Sequence, residues 1–110
     1  MNIHHERARE LVHELVSEWI SRESSRSSLI TVTRVGLNDK ETYADVIISV
    51  FPETQEQAVL DFLSRNGSEA RDFVRERSRL RTIPRFRFII DEGEKKRREF
   101  EKLFDEQQKQ

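Results

Sequence analysis

Residues 29–51 read LITVTRVGLNDKETYADVIISVF, two runs of β-branched and aliphatic residues separated by Asn38, Asp39 and Lys40. Branched side chains are stiff at χ1 and pack well on a pleated surface, and Asn and Asp turn the chain, so the stretch predicts a β-hairpin. In the second run Ala44, Val46, Ile48 and Val50 alternate with Tyr43, Asp45, Ile47 and Ser49. Successive strand residues face opposite sides, so the even-numbered set is predicted to face the core. The first run changes phase, with Ile30 and Val32 in one register and Val35 and Leu37 in the other, which predicts a bulge near Thr33 and Arg34.

A lone hairpin has too little apolar face to stand in water, so its flanks must cover it. Upstream, Ala8, Leu11, Val12, Leu15, Val16, Trp19 and Ile20 recur at i, i+3, i+4, i+7, one stripe of an amphipathic helix that ends in the serine-rich run 21–28. Downstream, Pro52 closes the second strand and Thr54 is positioned to cap a helix carrying Val59, Phe62 and Leu63. That pattern breaks at Asn66-Gly67-Ser68 and resumes with Ala70, Phe73 and Val74, predicting a second helix over about 69–79. After Pro84, FRFIID (86–91) alternates again and predicts a third strand. The tail from residue 92 is helical in composition, with Phe100, Leu103 and Phe104 as its apolar positions, enough to dock one turn. Three strands with helices on one face make an α+β sandwich. The long connection from the second strand to the third predicts a right-handed crossover and one parallel pair.

The 110 residues suit one domain, with 35% apolar and 37% charged side chains describing a small core under a charged surface. The chain has no Cys, which excludes disulfides, thiol nucleophiles and thiolate metal sites. MNIHHERARE lacks the apolar stretch of a secretory signal and no run is long enough to span a membrane, so the expectation is a cytoplasmic protein. Catalysis finds no foothold. His4, His5 and His13 lack metal spacing, no GxSxG turn exists, three glycines cannot build a phosphate-cradling loop, and the carboxylates fall on solvated helix faces. The sequence therefore predicts no enzyme, no metal, no cofactor and no small-molecule substrate.

Charge distribution is more informative than its total. The formal net charge is −1 overall, yet residues 1–64 carry −5, residues 65–87 carry +5 and residues 88–110 carry −1. All eight cations of the middle segment are arginines, six of them in RERSRLRTIPRFRF (75–88). Such a local excess is the electrostatic footprint of a polyanion partner, and guanidinium groups match phosphate oxygens two bonds at a time. Arg71, Arg75 and Arg79 recur at i, i+4, i+8 and would form a stripe on the second half of the helix pair, continued by Arg81, Arg85 and Arg87. The plain alternative is that Asp72 and Glu76 pair with Arg75 and Arg79 as surface salt bridges.

SLITVTRVGLNDKETYADVIISVFPE, the small-residue break, RLRTIPRFRFIIDEGEK and the closing EKLFDE together resemble ribosome-binding factor A, a family of bacterial assembly factors of the small ribosomal subunit. The resemblance spans nearly the whole chain, and its most specific parts are the TVTRV and ADVIISVF strands and the R-L-R-x-x-P segment ending at Asp91. It implies a type II KH-like domain over residues 1–91, ordered α-β-β-α-kink-α-β, with a C-terminal helical extension over 92–110. In the family a kink of form Ala-x-Gly replaces the usual GxxG loop of KH domains; here Asn66-Gly67-Ser68 stands at that place, with its glycine in the middle. The resemblance also implies a monomeric, non-enzymatic protein that binds the small (30S) subunit and its 16S rRNA during late maturation. The residues expected to touch RNA are Arg65, Asn66, Gly67, Ser68, Arg71, Arg75, Arg79, Arg81 and Arg85. The competing expectation is an adaptor that binds proteins through the C-terminal helix.

Overall fold

The computed structural model describes residues 3–25 and 27–108, with side chains up to residue 103. Its elements run α1 (Ile3–Glu23), β1 (Leu29–Leu37), β2 (Tyr43–Phe51), a 3₁₀ turn (Glu53–Gln55), α2 (Glu56–Arg65), α3 (Gly67–Glu76), β3 (Arg85–Ile90) and α4 (Glu92–Gln108). The sheet order is β1-β2-β3, with β1 antiparallel and β3 parallel to β2.

The alternation in β2 has the predicted consequence: Ala44, Val46, Ile48 and Val50 are fully buried. The register slips between Val32 and Arg34, so Thr33 is the extra residue of a bulge and both Val32 and Val35 reach the core. The Thr33 hydroxyl lies 2.6 Å from Asp91 Oδ2 and 3.2 Å from the Ile47 carbonyl. α1 buries Ala8, Val12, Leu15, Val16, Trp19 and Ile20. α2 and α3 add Val59, Leu63, Ala70 and Val74 to the same cluster, which also takes Ile83 and Phe88. A Leu- or Val-sized side chain fully buried in such a core contributes roughly 1.5–3 kcal/mol.

Three sequence expectations change. Thr54 caps nothing: after Pro52 the chain curls into the 3₁₀ turn, closed by Gln55 N–H to the Pro52 carbonyl at 3.0 Å, and α2 starts at Glu56 behind Gln55. α3 ends at Glu76 rather than near residue 79, because Ile83 and Pro84 must be buried and a longer helix would carry the chain past them. Two of the tail's apolar positions do not dock, since Phe100 is 69% and Leu103 60% exposed; Phe104 lies outside the residues whose side chains are described. Among the described residues, the hydrogen bonds and ion pair that tie α4 to the domain lie near its start. Asp91 Oδ1 accepts the Glu94 N–H at 3.0 Å as an N-cap, and Lys95 pairs with Glu56 at 3.1 Å. The radius of gyration, 15.9 Å, exceeds the roughly 13 Å of a compact chain of this length because α4 projects.

Candidate nucleic-acid interface

Asn66 is the whole joint between α2 and α3. It is the C-cap of one helix and the N-cap of the next, at φ −107° and ψ 20°. Its backbone N–H and side-chain Nδ2 both donate to the Phe62 carbonyl, at 3.1 and 2.7 Å, while its own carbonyl accepts from Ala70 N–H at 3.1 Å. One residue thus closes the last turn of α2 and opens the first turn of α3, so the Asn-Gly-Ser break is a kink rather than a loop. Gly67 needs neither a positive φ nor space inside the protein, since a Cβ there would meet nothing within 4 Å.

The predicted arginine stripe separates into two groups. Arg71 turns inward, donating through Nη2 to the Ile83 carbonyl at 3.0 Å and through Nε to the Pro84 carbonyl at 3.3 Å. It pins the 77–84 connection against α3. Arg75 pairs with Asp72 on its own helix. Arg77 lies 3.6 Å over the Phe73 ring and reaches Glu76, so Glu76 does not pair with Arg79. Arg79 stands beyond the end of α3, which breaks the i, i+4, i+8 alignment. Arg87 is held bidentately by Asp45 at 2.9 and 3.0 Å, and that carboxylate raises its pKa above the usual guanidinium value.

The second group is exposed, and its guanidinium groups make no ion pair or hydrogen bond with any described residue: Arg65 at the end of α2, Arg79 and Arg81 in the connection, and Arg85 at the start of β3. The kink and the strand start meet in a shallow hollow of about 340 Å³ lined by Gly67, Ser68, Arg71, Arg85 and Phe86. Free guanidinium groups, two of them beside a small-residue kink, can take phosphate oxygens without first breaking an internal bond. Among the described residues no group of three or more His, Asp or Glu could hold a metal ion, and no helix is long and apolar enough to cross a membrane.

On the solvent face of the sheet, a wider hollow of about 730 Å³ runs from the hairpin end to β3 and shares Arg85 and Phe86 with the first. Tyr43 and Gly36 belong to it. Nothing in the local sequence singles them out, because their proximity depends on the cross-strand register set by the hairpin turn.

The family model described as "Ribosome-binding factor A" matches residues 4–104. A ribosome-binding factor A from Thermodesulfovibrio yellowstonii is 34% identical over 90 residues, 80% of this chain and 76% of that protein. One from Coxiella burnetii is 26% identical over 95 residues, covering 84% and 80%. The crystal structure of ribosome-binding factor A from Thermus thermophilus superposes with a TM-score of 0.68 at 25% identity, covering 74% of this chain and 90% of that one. A homology model of the Thermus thermophilus factor, fitted into a cryo-EM map of a 30S–RbfA complex, superposes at 0.67 and 25% identity, covering 74% and 89%.

Proposed function

The chain belongs to the ribosome-binding factor A family, and from that premise we propose that it binds the small ribosomal subunit through 16S rRNA during late maturation, with residues 1–91 as the RNA-binding unit. The observation that carries this reading is the set of arginine side chains left unpaired, Arg65 and Arg85 beside the Asn66-Gly67-Ser68 kink and Arg79 and Arg81 in the connection that Arg71 holds against α3. Asp72 and Glu76 pair with Arg75 and Arg77, Asp45 holds Arg87 and two backbone carbonyls hold Arg71, so four of the segment's eight arginines are left facing water. The remaining surface is acidic, which suppresses indiscriminate attachment to RNA and leaves one competent face. Arg71 acts through position rather than contact, holding the connection that carries Arg79 and Arg81.

The role is binding rather than catalysis, and its signature is salt dependence. Cosedimentation with purified small subunits, repeated over a salt series, is the test. Four phosphate contacts give a slope of log affinity against log salt near −3, at roughly 0.7 per contact for single-stranded RNA. A salt-independent association would contradict the reading. It would favour the adaptor reading instead, whose one supporting observation is that Phe100 and Leu103 stand exposed on a projecting helix.

A further inference from the structure

We propose that the outer face of the sheet, at the end nearest the hairpin turn, is a second RNA site that stacks one unpaired nucleobase on Tyr43; the inference rests on the RNA-binding reading above. Gly36, Asp45 and Arg87 form one row across the three strands, and Tyr43 with Arg85 forms the next. All five line the 730 Å³ hollow, which falls within the roughly 300–1,000 Å³ span of pockets that take small ligands.

Three of the five have a feature that the fold leaves unexplained. Tyr43 is 59% exposed, although a large aromatic ring would normally be buried where a core could take it. Gly36 sits inside a strand, where glycine weakens the ladder. Its φ is not positive and a Cβ would meet nothing within 4 Å, so neither backbone nor packing demands glycine. What a side chain there would occupy is the hollow beside Asp45. Arg85 is cationic and unpaired, while Arg87 is already satisfied by Asp45.

The platform is also held in place before any ligand arrives. Asn38 Oδ1 accepts the N–H groups of both Thr42 and Tyr43 at 2.9 Å, Asn38 N–H donates to the Tyr43 carbonyl at 3.2 Å, and Arg85 N–H donates to the Thr42 carbonyl at 2.9 Å. An exposed ring on a rigid backbone beside a free guanidinium is what base stacking with a phosphate clamp requires. Because Arg85 lines both hollows, a strand whose backbone lies at the kink can lay its next base on Tyr43.

The test uses the full chain with an adenosine-oligoribonucleotide octamer as probe, and separately with intact small subunits. Tyr43 is the only tyrosine, so its ring protons are an assignable NMR signal. Addition of the octamer is expected to move them upfield. Tyr43→Leu is expected to weaken octamer binding about 5- to 100-fold with an unchanged salt slope, and Tyr43→Trp to restore it. Gly36→Val, which fills the hollow, is expected to weaken binding similarly with the thermal midpoint retained. If Tyr43→Leu binds the octamer as the parent does while Arg79→Glu still weakens it, the stacking site is wrong and the RNA-binding reading survives. If the parent binds no RNA at any salt, both fall. If Tyr43→Leu weakens only the association with intact subunits, the occupant is a ribosomal protein and the nucleobase assignment is overturned.

Discussion

At the residue scale, two side chains show how differently a single position can act. Trp19 is 1% exposed and sits where α1 meets α3, and its periodicity made that burial readable from the sequence. Trp19→Ala should cost about 3–5 kcal/mol in urea unfolding, while Glu18→Ala, which removes only an exposed pair with Arg22, should cost under about 1 kcal/mol. Equal losses would contradict the assigned helix face. Asp91 is the opposite case, a residue whose tie to Thr33 no local pattern announces. Its carboxylate gathers the Thr33 hydroxyl and the Glu94 N–H, joining the β1 bulge to the start of α4 across a long sequence separation. The Thr33 hydrogen bond, then the Glu94 N–H, hold its pKa below the usual carboxylate value. A depressed folded-state pKa adds stability above the unfolded value near 3.9, and that stability is lost as pH falls through the folded pKa. Asp91→Ala should therefore lower stability by about 1 kcal/mol at pH 7, mostly as a lost cap, and by less below about pH 4. A difference that grows on acidification would refute this account.

At the element scale, legibility followed the physical origin of each element. β2 was readable because period-two alternation and β-branched composition agree, and the bulge in β1 because its phase change has no other explanation on a sheet with one buried face. The end of α3 was not readable. Arg77, Ser78 and Arg79 tolerate a helix, and what stops it is tertiary: Arg71 holds the carbonyls of Ile83 and Pro84, and those two residues are buried. The arginine stripe depended on that helix running on, so the alignment of Arg71, Arg75 and Arg79 is lost, and the segment as an RNA contact stands as a proposal. α4 shows a third case, an element with helical composition but few partners. Its cap and the Lys95–Glu56 pair restrain its start, whereas Phe100 and Leu103 contact little. Short helices without tertiary packing are marginal in water. Amides after residue 99 should exchange with solvent within the dead time of a native-state hydrogen-exchange experiment, while those of β2 should require global unfolding. Deletion of residues 99–110 should leave the thermal midpoint within a few degrees of the parent; a large drop would mean that the tail packs on the domain after all.

At the scale of the whole molecule, the question is whether charge placement or charge amount governs attachment to the subunit. Arg79, Arg81 and Arg85 are unpaired, close in sequence to the kink-facing strand, and inside the segment of net charge +5. Arg7, Arg9 and Arg22 lie on α1, where Arg9 and Arg22 pair with Glu6 and Glu18. Reversal of either trio to Glu changes the net charge by the same amount, so the two variants share any long-range repulsion from RNA. They differ in contacts. The first trio should lose about 0.7 of salt slope per phosphate released, close to 2 in all, and with it most of the affinity for small subunits at physiological salt. The second should keep its slope, and its modest loss at low salt should vanish as the Debye length falls below roughly 10 Å near 0.1 M salt. Neither trio includes a core residue, and circular dichroism melts should stay close to the parent for both. If the two reversals weaken subunit binding equally at every salt concentration, net charge alone sets the affinity, and Arg79, Arg81 and Arg85 are not where this protein holds RNA.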